Sequence, residues 1–276
     1  APLSVFFDAS GTTDTEVTPE PFHDLEYRWD FGDPDGSPIN GTTWGAGSGA
    51  GVNSRNAAMG PVAAHVFEVP GTYTVALSVF DGTSSATEET TITVDDPDIV
   101  FAATNTVCIG ATSVPVAGGN GCPTDALAVM QPSFTAAVST YALTGKRVLF
   151  QRGDTFTVAT TATIANTGPG TLGAFGTSSG AKPKIQLAAN TRMLNLSTKA
   201  TPGMRDWRIM DLELDGQDYA GSAGVGADGT IKQVLMIGMH MHSMAIGFGL
   251  DGALIQLHYL DGVTGHGMWD EIAIVD

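Results

Sequence analysis

Apolar and polar side chains alternate along residues 71–79, which is the pattern of a half-buried β-strand. One face carries Tyr73, Val75, Leu77 and Val79, and the other carries Thr74, Ala76 and Ser78. A proline–glycine pair just before this strand supplies a turn. An earlier segment, residues 27–33, places Trp29 between polar neighbours and then breaks at Gly32. The two segments predict two strands of one small sheet.

These two segments, preceded by residues 5–11 (VFFDASG), resemble the PKD domain, an immunoglobulin-like β-sandwich found on extracellular proteins. The resemblance implies that residues 1–96 form such a sandwich and that the protein is secreted or lies at the cell surface. The Gly/Ser/Asn-rich stretch from Gly36 to Gly60 predicts an expanded loop. The charged, proline-containing residues 95–98 predict a hinge at the end of the domain.

Residues 97–145 are predicted to form a connector. Cys108 and Cys122 are the two cysteines of the chain and lie in a Gly/Ala/Val-rich stretch, so we expect a disulfide that closes a short local loop in an oxidising compartment. Apolar residues then recur every three or four positions, at Leu127, Met130, Phe134, Val138 and Tyr141. This spacing predicts a short capping helix, which Pro132 breaks into two pieces.

From residue 146 onward, short apolar strands alternate with Gly, Asn and Asp turns. Examples are residues 148–156 (VLFQRGDTF), 168–176 (GPGTLGAFG) and 206–216 (DWRIMDLELDG). Residues 146–276 resemble the beginning of a right-handed parallel β-helix of the pectate-lyase-like superfamily. The predicted fold class is therefore all-β, with an immunoglobulin-like sandwich followed by a parallel β-helix that is incomplete at its C-terminal end.

Four segments of this second domain align by their alternation alone, and their apolar faces predict the interior. The columns are Met210, Leu212 and Leu214; Ile237, Met239 and Met241; Ile255, Leu257 and Tyr259; and Ile272 and Ile274. Parallel strands lie about 4.8 Å apart, so stacked segments would make each column part of a continuous apolar ladder.

The opposite face of these segments is predicted to point outward. It carries Asp211, Glu213 and Asp215, then Gly238, His240 and His242, then Gln256, His258 and Leu260, and then Glu271, Ala273 and Val275. Glu213, His240 and His258 would form one column, with Asp215 and His242 beside it. Such a face can coordinate a divalent metal or act as an acid–base group on a polysaccharide. The alternative is a solvated strand face, which is polar without any function.

Candidate roles follow from this face. The catalytic candidates are Glu213, His240 and His258, and the substrate-binding candidates are Arg208, Asp211, Asp215, His242 and Gln256. Polysaccharide lyases of the β-helix type use a Ca²⁺-binding acidic cluster with a nearby Lys or Arg as base. The resemblance therefore implies Ca²⁺ at Asp211, Glu213 and Asp215, with Arg208 close by. The alternative is that basic residues of this region balance local carboxylates and line turns.

The charge of the chain limits its partners. The formal net charge is −17, with 12 Lys and Arg in 276 residues. This charge argues against nucleic acid and anionic membrane surfaces as main partners, because phosphate binding needs a basic surface. The most apolar run, from Val234 to Leu250, is interrupted by two histidines and a serine, so no membrane insertion is predicted.

Two classes of function remain open. The first is a polysaccharide lyase or glycoside hydrolase that acts on a polysaccharide or cell-surface glycan bound across the outer face. The second is a non-enzymatic adhesion or structural protein. Asp276 directly follows a predicted strand, so we expect that the chain continues or that another copy covers this end. Self-association of this kind, repeated head to tail, would build a filament.

Overall fold

The computed structural model describes residues 1–15, 24–33, 56–177, 179–197, 204–228, 231–251, 255–257 and 263–265. The chain divides into two units, one built on Ala1–Asp96 and the other on Pro97–Ile274. Strands dominate both units. The described strands of the first unit pair antiparallel, whereas those of the second unit pair parallel.

The first unit contains six described strands in two antiparallel sheets. The strands are β1 (Leu3–Asp8), β2 (Glu26–Asp30), β3 (Ala57–Met59), β4 (Val62–Phe67), β5 (Gly71–Phe80) and β6 (Ser85–Val94). One sheet pairs β1 with β4, and the other has the order β3-β2-β5-β6. The two segments singled out in the sequence are paired as predicted, with Trp29 of β2 opposite Leu77 of β5.

Aromatic side chains fill the core of this unit. Phe7, Trp29, Phe31 and Phe67 are buried together with Val75. The ring centroids of Phe7 and Trp29 lie 5.4 Å apart, a contact that joins β1 of one sheet to β2 of the other. Val75 is buried on the inward face of β5, which confirms the interior side that the alternation predicted for that strand.

Gly32 allows the turn after β2 to approach β5. Its φ is +64°, and a Cβ at this position would lie 2.3 Å from the backbone oxygen of Thr74. The backbone N–H of Gly32 donates a 2.9 Å hydrogen bond to the Asp30 side chain, which fixes the turn. Glycine is therefore required both by the backbone conformation and by the close approach.

The second unit begins with two short helices, a 3₁₀ turn and one pair of strands, and a longer series of strands follows. Helix α1 (Pro97–Val100) and a 3₁₀ turn (Ala103–Asn105) lead to β7 (Thr106–Gly110), β8 (Leu127–Met130) and helix α2 (Phe134–Tyr141). The remaining strands are β9 (Lys146–Gln151), β10 (Thr155–Val158), β11 (Ala162–Ile164), β12 (Gly170–Phe175), β13 (Lys184–Leu187), β14 (Arg192–Ser197), β15 (Arg205–Met210), β16 (Glu213–Asp228), β17 (Lys232–Ile237), β18 (His240–Asp251), β19 (Ile255–Leu257) and β20 (Val263–Gly265).

Successive passages of the chain contribute strands to three parallel ladders. The first ladder has the order β8-β7-β9-β12-β15-β17-β19. In the second ladder, β10 pairs with β13, β13 with the start of β16, and the start of β16 with the start of β18. In the third, β11 pairs with β14, and the ends of β16 and β18 continue the series to β20. From β9 to the end of β18, the chain visits the three ladders in the same order in each passage.

Apolar side chains of equivalent register fill the space between the ladders. In the first ladder Val148, Leu172, Ile209 and Met236 are aligned and fully buried. In the second ladder Phe156, Ile185 and Leu214 are aligned and buried, with Met241 next in register. Full burial of a side chain of this size contributes about 1.5–3 kcal/mol, so these aligned columns stabilise the packing of the ladders on one another.

The two predicted strands 210–215 and 237–242 are each a corner between two strands. Asp211, with φ +57°, turns the chain between β15 and β16, and Gly238, with φ +64°, turns it between β17 and β18. A Cβ on Gly238 would lie 2.6 Å from Asp211 Oδ1, so any other residue at this corner would displace the Asp211 carboxylate. The prediction of continuous strands was wrong because such a left-handed residue turns the backbone without interrupting the polar–apolar alternation.

The relative alignment of these two segments was nevertheless correct. Glu213 pairs with His240, and Met210 pairs with Ile237. Leu212, Leu214 and Ile237 are buried as predicted, and Met239 and Met241 are partly buried against the core. Met210 is only half-buried, because Ile209 occupies the interior position of β15.

The third aligned segment was placed in the wrong register. Ile255 pairs with Val234 and Gln256 with Leu235, three positions earlier than predicted. Gln256 therefore lies in the first ladder and not beside Gly238. Residues 258–260 and 266–276, which include His258, the fourth predicted segment and the chain end expected to self-associate, are outside the described residues, as is most of the predicted loop 36–60.

Residues 97–145 belong to the second unit rather than to a separate connector. Strands β7 and β8 join the first ladder, and α2 packs against β10 and β11. The predicted helix is shorter than expected, because residues 127–130 form a strand and the helix starts only after Pro132, where the Ser133 side chain accepts a hydrogen bond from the N–H of Ala136.

The disulfide between Cys108 and Cys122 is present as predicted. Cys108 is a fully buried residue of strand β7 and not a loop residue. The bridge packs with Ala126, Leu149 and Phe175 in a small cluster beside the first ladder. It ties the segment between β7 and β8 to that ladder.

We expect Gly32→Ala to destabilise the first unit by about 3 kcal/mol, because the left-handed backbone and the Thr74 contact both oppose a Cβ. Native-state amide exchange in β2 and β5 measures the change. Gly11→Ala is the control, since a Cβ there meets nothing within 4 Å. Equal effects of the two substitutions would contradict the assigned close approach.

We expect the double variant Cys108→Ala/Cys122→Ala to lose about 3 kcal/mol of unfolding free energy, because a bridge over 14 residues restricts the unfolded chain. Urea unfolding of the second unit, followed through amide exchange in β7 and β9, measures the loss. Reduction of the unsubstituted protein should lower the midpoint by a similar amount. An unchanged midpoint in both experiments would contradict a stabilising role.

Candidate functional site

Two rows of polar side chains cross the outward face of the second ladder. The first polar row is Thr155, Lys184, Glu213 and His240, and the second polar row is Thr157, Gln186, Asp215 and His242. Adjacent strands lie about 4.8 Å apart, so each row spans about 14 Å. The alternation that buries Ile185 and Leu214 turns their neighbours outward, and the register of the strands aligns those neighbours.

Glu213 is the centre of the charged cluster within these rows. Its Oε1 lies 2.9 Å from Lys184 Nζ and 3.2 Å from His242 Nε2. The Glu213 side chain is 19% exposed, and those of Lys184 and His242 are exposed to about a third. His240 is exposed, and its ring centroid lies 4.8 Å from that of His242. A carboxylate, an ammonium group and two imidazoles thus meet on one face.

Asp215 lies behind this cluster and is nearly buried. Gln217 donates to both of its carboxylate oxygens, from the side chain at 2.7 Å and from the backbone at 3.1 Å. Asp215 Oδ1 also lies 3.9 Å from His242 Nδ1, and Asp215 Oδ2 lies 3.8 Å from Lys184 Nζ. The second nitrogen of His242 therefore faces a carboxylate that is itself fixed in place.

The pKa values of this cluster favour charged groups. Burial raises the pKa of Glu213, but hydrogen bonds from Lys184 and His242, with the charges of those residues, hold it below its ordinary value. Burial likewise raises the pKa of Asp215, but the hydrogen bonds from Gln217, with the charges of His242 and Lys184, hold it below its ordinary value. The hydrogen bond to Glu213 raises the pKa of Lys184. Both carboxyl groups and the ammonium group are therefore charged at neutral pH.

Asp211 lies at the corner next to the rows and is engaged by two basic residues. Its Oδ2 accepts a hydrogen bond from the Arg152 guanidinium, and its Oδ1 lies 3.6 Å from Lys182 Nζ. Lys182 also donates to the backbone oxygen of Gly238. These contacts link the corners of successive passages, so the role that the structure supports for Asp211 is structural.

The structure brings together some of the predicted site residues and separates others. Glu213, Asp215, His240 and His242 meet as described. Arg208 lies on β15 in the first ladder and forms a 2.5 Å ion pair with Asp206 of the same strand. Gln256 also belongs to the first ladder, and His258 is outside the described residues.

The sequence pattern did not identify Lys184, Lys182 and Arg152 as partners of the acidic residues. The alternation of Lys184, Ile185 and Gln186 is a signal of an outward row, but three residues are too few to fix its register. Each of these three basic residues pairs with a carboxylate. Their contacts therefore fit the alternative that basic residues of this region balance local carboxylates better than the role of a catalytic base in a lyase.

The Ca²⁺ set implied by the superfamily resemblance does not fit the geometry. Both oxygens of Asp211 face Arg152 or Lys182, and both oxygens of Asp215 accept from Gln217. In the part of the chain that the structure describes, Glu213, His240 and His242 form one group of potential metal ligands. Their donor atoms lie within 4.8 Å of one another. This group contains two imidazoles and one carboxylate.

Residues 3–94, about a third of the chain, match the model of the PKD domain. The first unit is therefore a PKD domain, as the sequence predicted. No curated protein and no solved structure matches the chain. PKD domains and disulfides are common in extracellular proteins, and both are present here. In the described part of the chain, no helix has the length and apolar character needed to cross a membrane.

We expect Asp211→Asn to destabilise the second unit by about 3 kcal/mol, because Arg152, whose side chain is 9% exposed, would lose its charged partner. Urea-unfolding midpoints measure the change. Asp206→Asn is a matched control, since both aspartates have a positive φ that asparagine tolerates and Asp206 is more exposed. The control should change stability by less than about 1 kcal/mol. If the two variants behave alike, the structural role of Asp211 is wrong.

Proposed function

We propose that the protein is a secreted or cell-surface, polysaccharide-directed protein whose second unit is a right-handed parallel β-helix of the pectate-lyase-like type. The repeated visit to three parallel ladders in one order supports this fold, because each passage then corresponds to one coil. The PKD domain and the disulfide support an extracellular location. The PKD domain then serves as a spacer or presentation module.

The two polar rows are the proposed glycan-binding surface, and their alignment is the observation that carries the proposal. The rows present donors and acceptors side by side on rigid strands, which matches the hydroxyl groups of an extended sugar polymer. Because strand register fixes the backbone that carries these side chains, only side-chain rotations have to be ordered on binding. The polymer would lie along the rows, across the strands.

The net charge favours an uncharged polysaccharide over an anionic one. A formal charge of −17 repels a polyanion at long range. The basic groups beside the rows do not offset this repulsion, because Lys184 and Lys182 are paired with carboxylates. We therefore expect neutral glycans to bind more tightly than uronate polymers.

The protonation states of Glu213, Asp215 and Lys184 favour glycan binding without cleavage. Glycoside hydrolysis needs a carboxyl group that stays protonated, whereas the pKa values of Glu213 and Asp215 are lowered. A lysine acting as a base must lose its proton, whereas the pKa of Lys184 is raised. The protonation states of Glu213, Asp215 and Lys184 therefore favour the adhesion or structural alternative over a lyase or hydrolase that uses these three groups.

Calorimetric titration of the full chain tests this proposal. The ligands are a panel of soluble neutral and acidic polysaccharides, and a metal chelator is present throughout. We expect at least one neutral polysaccharide to bind, with no new reducing ends or unsaturated products. Gln186→Ala should weaken binding by up to about tenfold, because it removes hydrogen bonds from the second polar row.

Thr163→Ala is the control, because Thr163 is an exposed strand residue of the third ladder in the same unit. It should leave the affinity unchanged. The proposed binding surface is wrong if no polysaccharide of the panel binds, or if Gln186→Ala and Thr163→Ala have the same affinity as the unsubstituted protein. Cleavage products would instead support the enzyme.

A further inference from the structure

We propose that Glu213, His240 and His242 bind one divalent transition-metal ion of the zinc class. Their potential donor atoms lie within 4.8 Å of one another. Zinc bonds to imidazole nitrogen and carboxylate oxygen are about 2.0–2.2 Å long, so donors of a tetrahedral site lie about 3.3 Å apart. Glu213 Oε1 and His242 Nε2 are already separated by 3.2 Å. The inference goes beyond glycan binding and does not depend on it.

The strand register holds the three ligands in place. Glu213 and His240 are direct neighbours on adjacent parallel strands, and His242 follows His240 on the same face of β18. The backbone of all three residues is fixed by the parallel pairing whether or not a metal is present. Small side-chain rotations, mainly of the exposed His240, are then sufficient to close the site.

The surroundings of His242 match those of a metal-binding histidine. If Nε2 binds the ion, Nδ1 must carry the proton and needs an acceptor. Ser243 Oγ lies 3.3 Å from Nδ1, and the Asp215 carboxylate lies 3.9 Å away. Asp215 is itself held by two hydrogen bonds from Gln217. Ser243 Oγ can accept the hydrogen bond from Nδ1, and the charge of the nearby Asp215 carboxylate increases the basicity of the imidazole as a ligand.

The donor set selects the class of metal. Two imidazoles with one carboxylate suit zinc and its neighbours, whereas calcium and magnesium prefer sites built from oxygen ligands. Both cysteines are consumed by the disulfide, so thiolate ligation from this chain is excluded. Three protein ligands leave the fourth tetrahedral position for water or another ligand.

Lys184 is the group that the ion must displace. Its Nζ lies 2.9 Å from Glu213 Oε1 and is a positive charge next to the proposed site. The side chain is 37% exposed and can move away, and the Asp215 carboxylate at 3.8 Å remains as a counterion. The ion and Lys184 therefore compete for Glu213. This competition distinguishes a metal site from a purely structural ion pair.

Titration of the metal-stripped full chain with Zn²⁺ alone tests the proposal. Calorimetry measures the stoichiometry and affinity, and ¹H–¹⁵N spectra report on the histidine rings. We expect one ion per chain and shifts of the His240 and His242 ring signals. The His65 ring signals should not change, because His65 is buried beside Asp33 in the PKD domain. Ca²⁺ at the same concentration should leave all three rings unchanged.

Variants separate the roles of the surrounding residues. Glu213→Gln, His240→Ala and Asp215→Asn should each weaken Zn²⁺ binding by at least about tenfold. Lys184→Met should strengthen it by about tenfold, because the competing charge is removed. Asp206→Asn removes an aspartate of the first ladder and should have no effect.

The proposal is overturned if Zn²⁺ leaves the His240 and His242 rings of the unsubstituted protein unshifted, a result that needs no variant to fold. It is also overturned if Ca²⁺ shifts these rings and Zn²⁺ does not, or if Lys184→Met weakens Zn²⁺ binding. The glycan titration uses a chelator and the zinc titration uses no glycan, so failure of one leaves the other standing.

Discussion

The register of the parallel strands in the second unit is the constraint on which the rest depends. Phe156, Ile185, Leu214 and Met241 occupy equivalent positions on four neighbouring strands and face the core. A slip of one residue would turn this whole column outward and expose several side chains that each contribute about 1.5–3 kcal/mol when buried. The same register fixes the outward residues, so the energy that holds the core also aligns the polar rows.

Burial separates the structural charges from the adjustable ones. Arg152 and Asp211 are largely buried at a corner, where breaking the pair leaves an uncompensated charge. Lys184 pairs with Glu213 at a more exposed position, where such a pair contributes little and can rearrange. The corner therefore holds successive passages together, whereas the neighbouring cluster is available for a glycan or an ion. The corner contains Asp211 and the cluster contains Glu213, two acidic residues whose different roles the sequence alone does not distinguish.

Alternation predicted the parts of the structure that depend on which side of a strand a residue faces. It identified the paired strands around Trp29 and Leu77 and aligned Glu213 with His240. It did not predict the corner at Asp211, because a left-handed residue changes the path of the backbone without changing the polar–apolar order. It misplaced Ile255, because successive passages differ in length: Trp207 pairs with Val234, 27 residues later, and Val234 pairs with Ile255, 21 residues later. The short apolar run at 127–130 fits helix and strand equally well, and pairing with β7 makes it a strand.

Strand register brings Glu213, His240 and His242 together on one outward face. A crystal of the full chain grown with equimolar Zn²⁺ tests this placement through an anomalous difference map recorded at the zinc absorption edge. We expect a single peak about 2.0–2.2 Å from donor atoms of all three residues, on strands that pair Glu213 with His240. A map without a peak at these residues, or strands that pair Glu213 with a different residue, would contradict it.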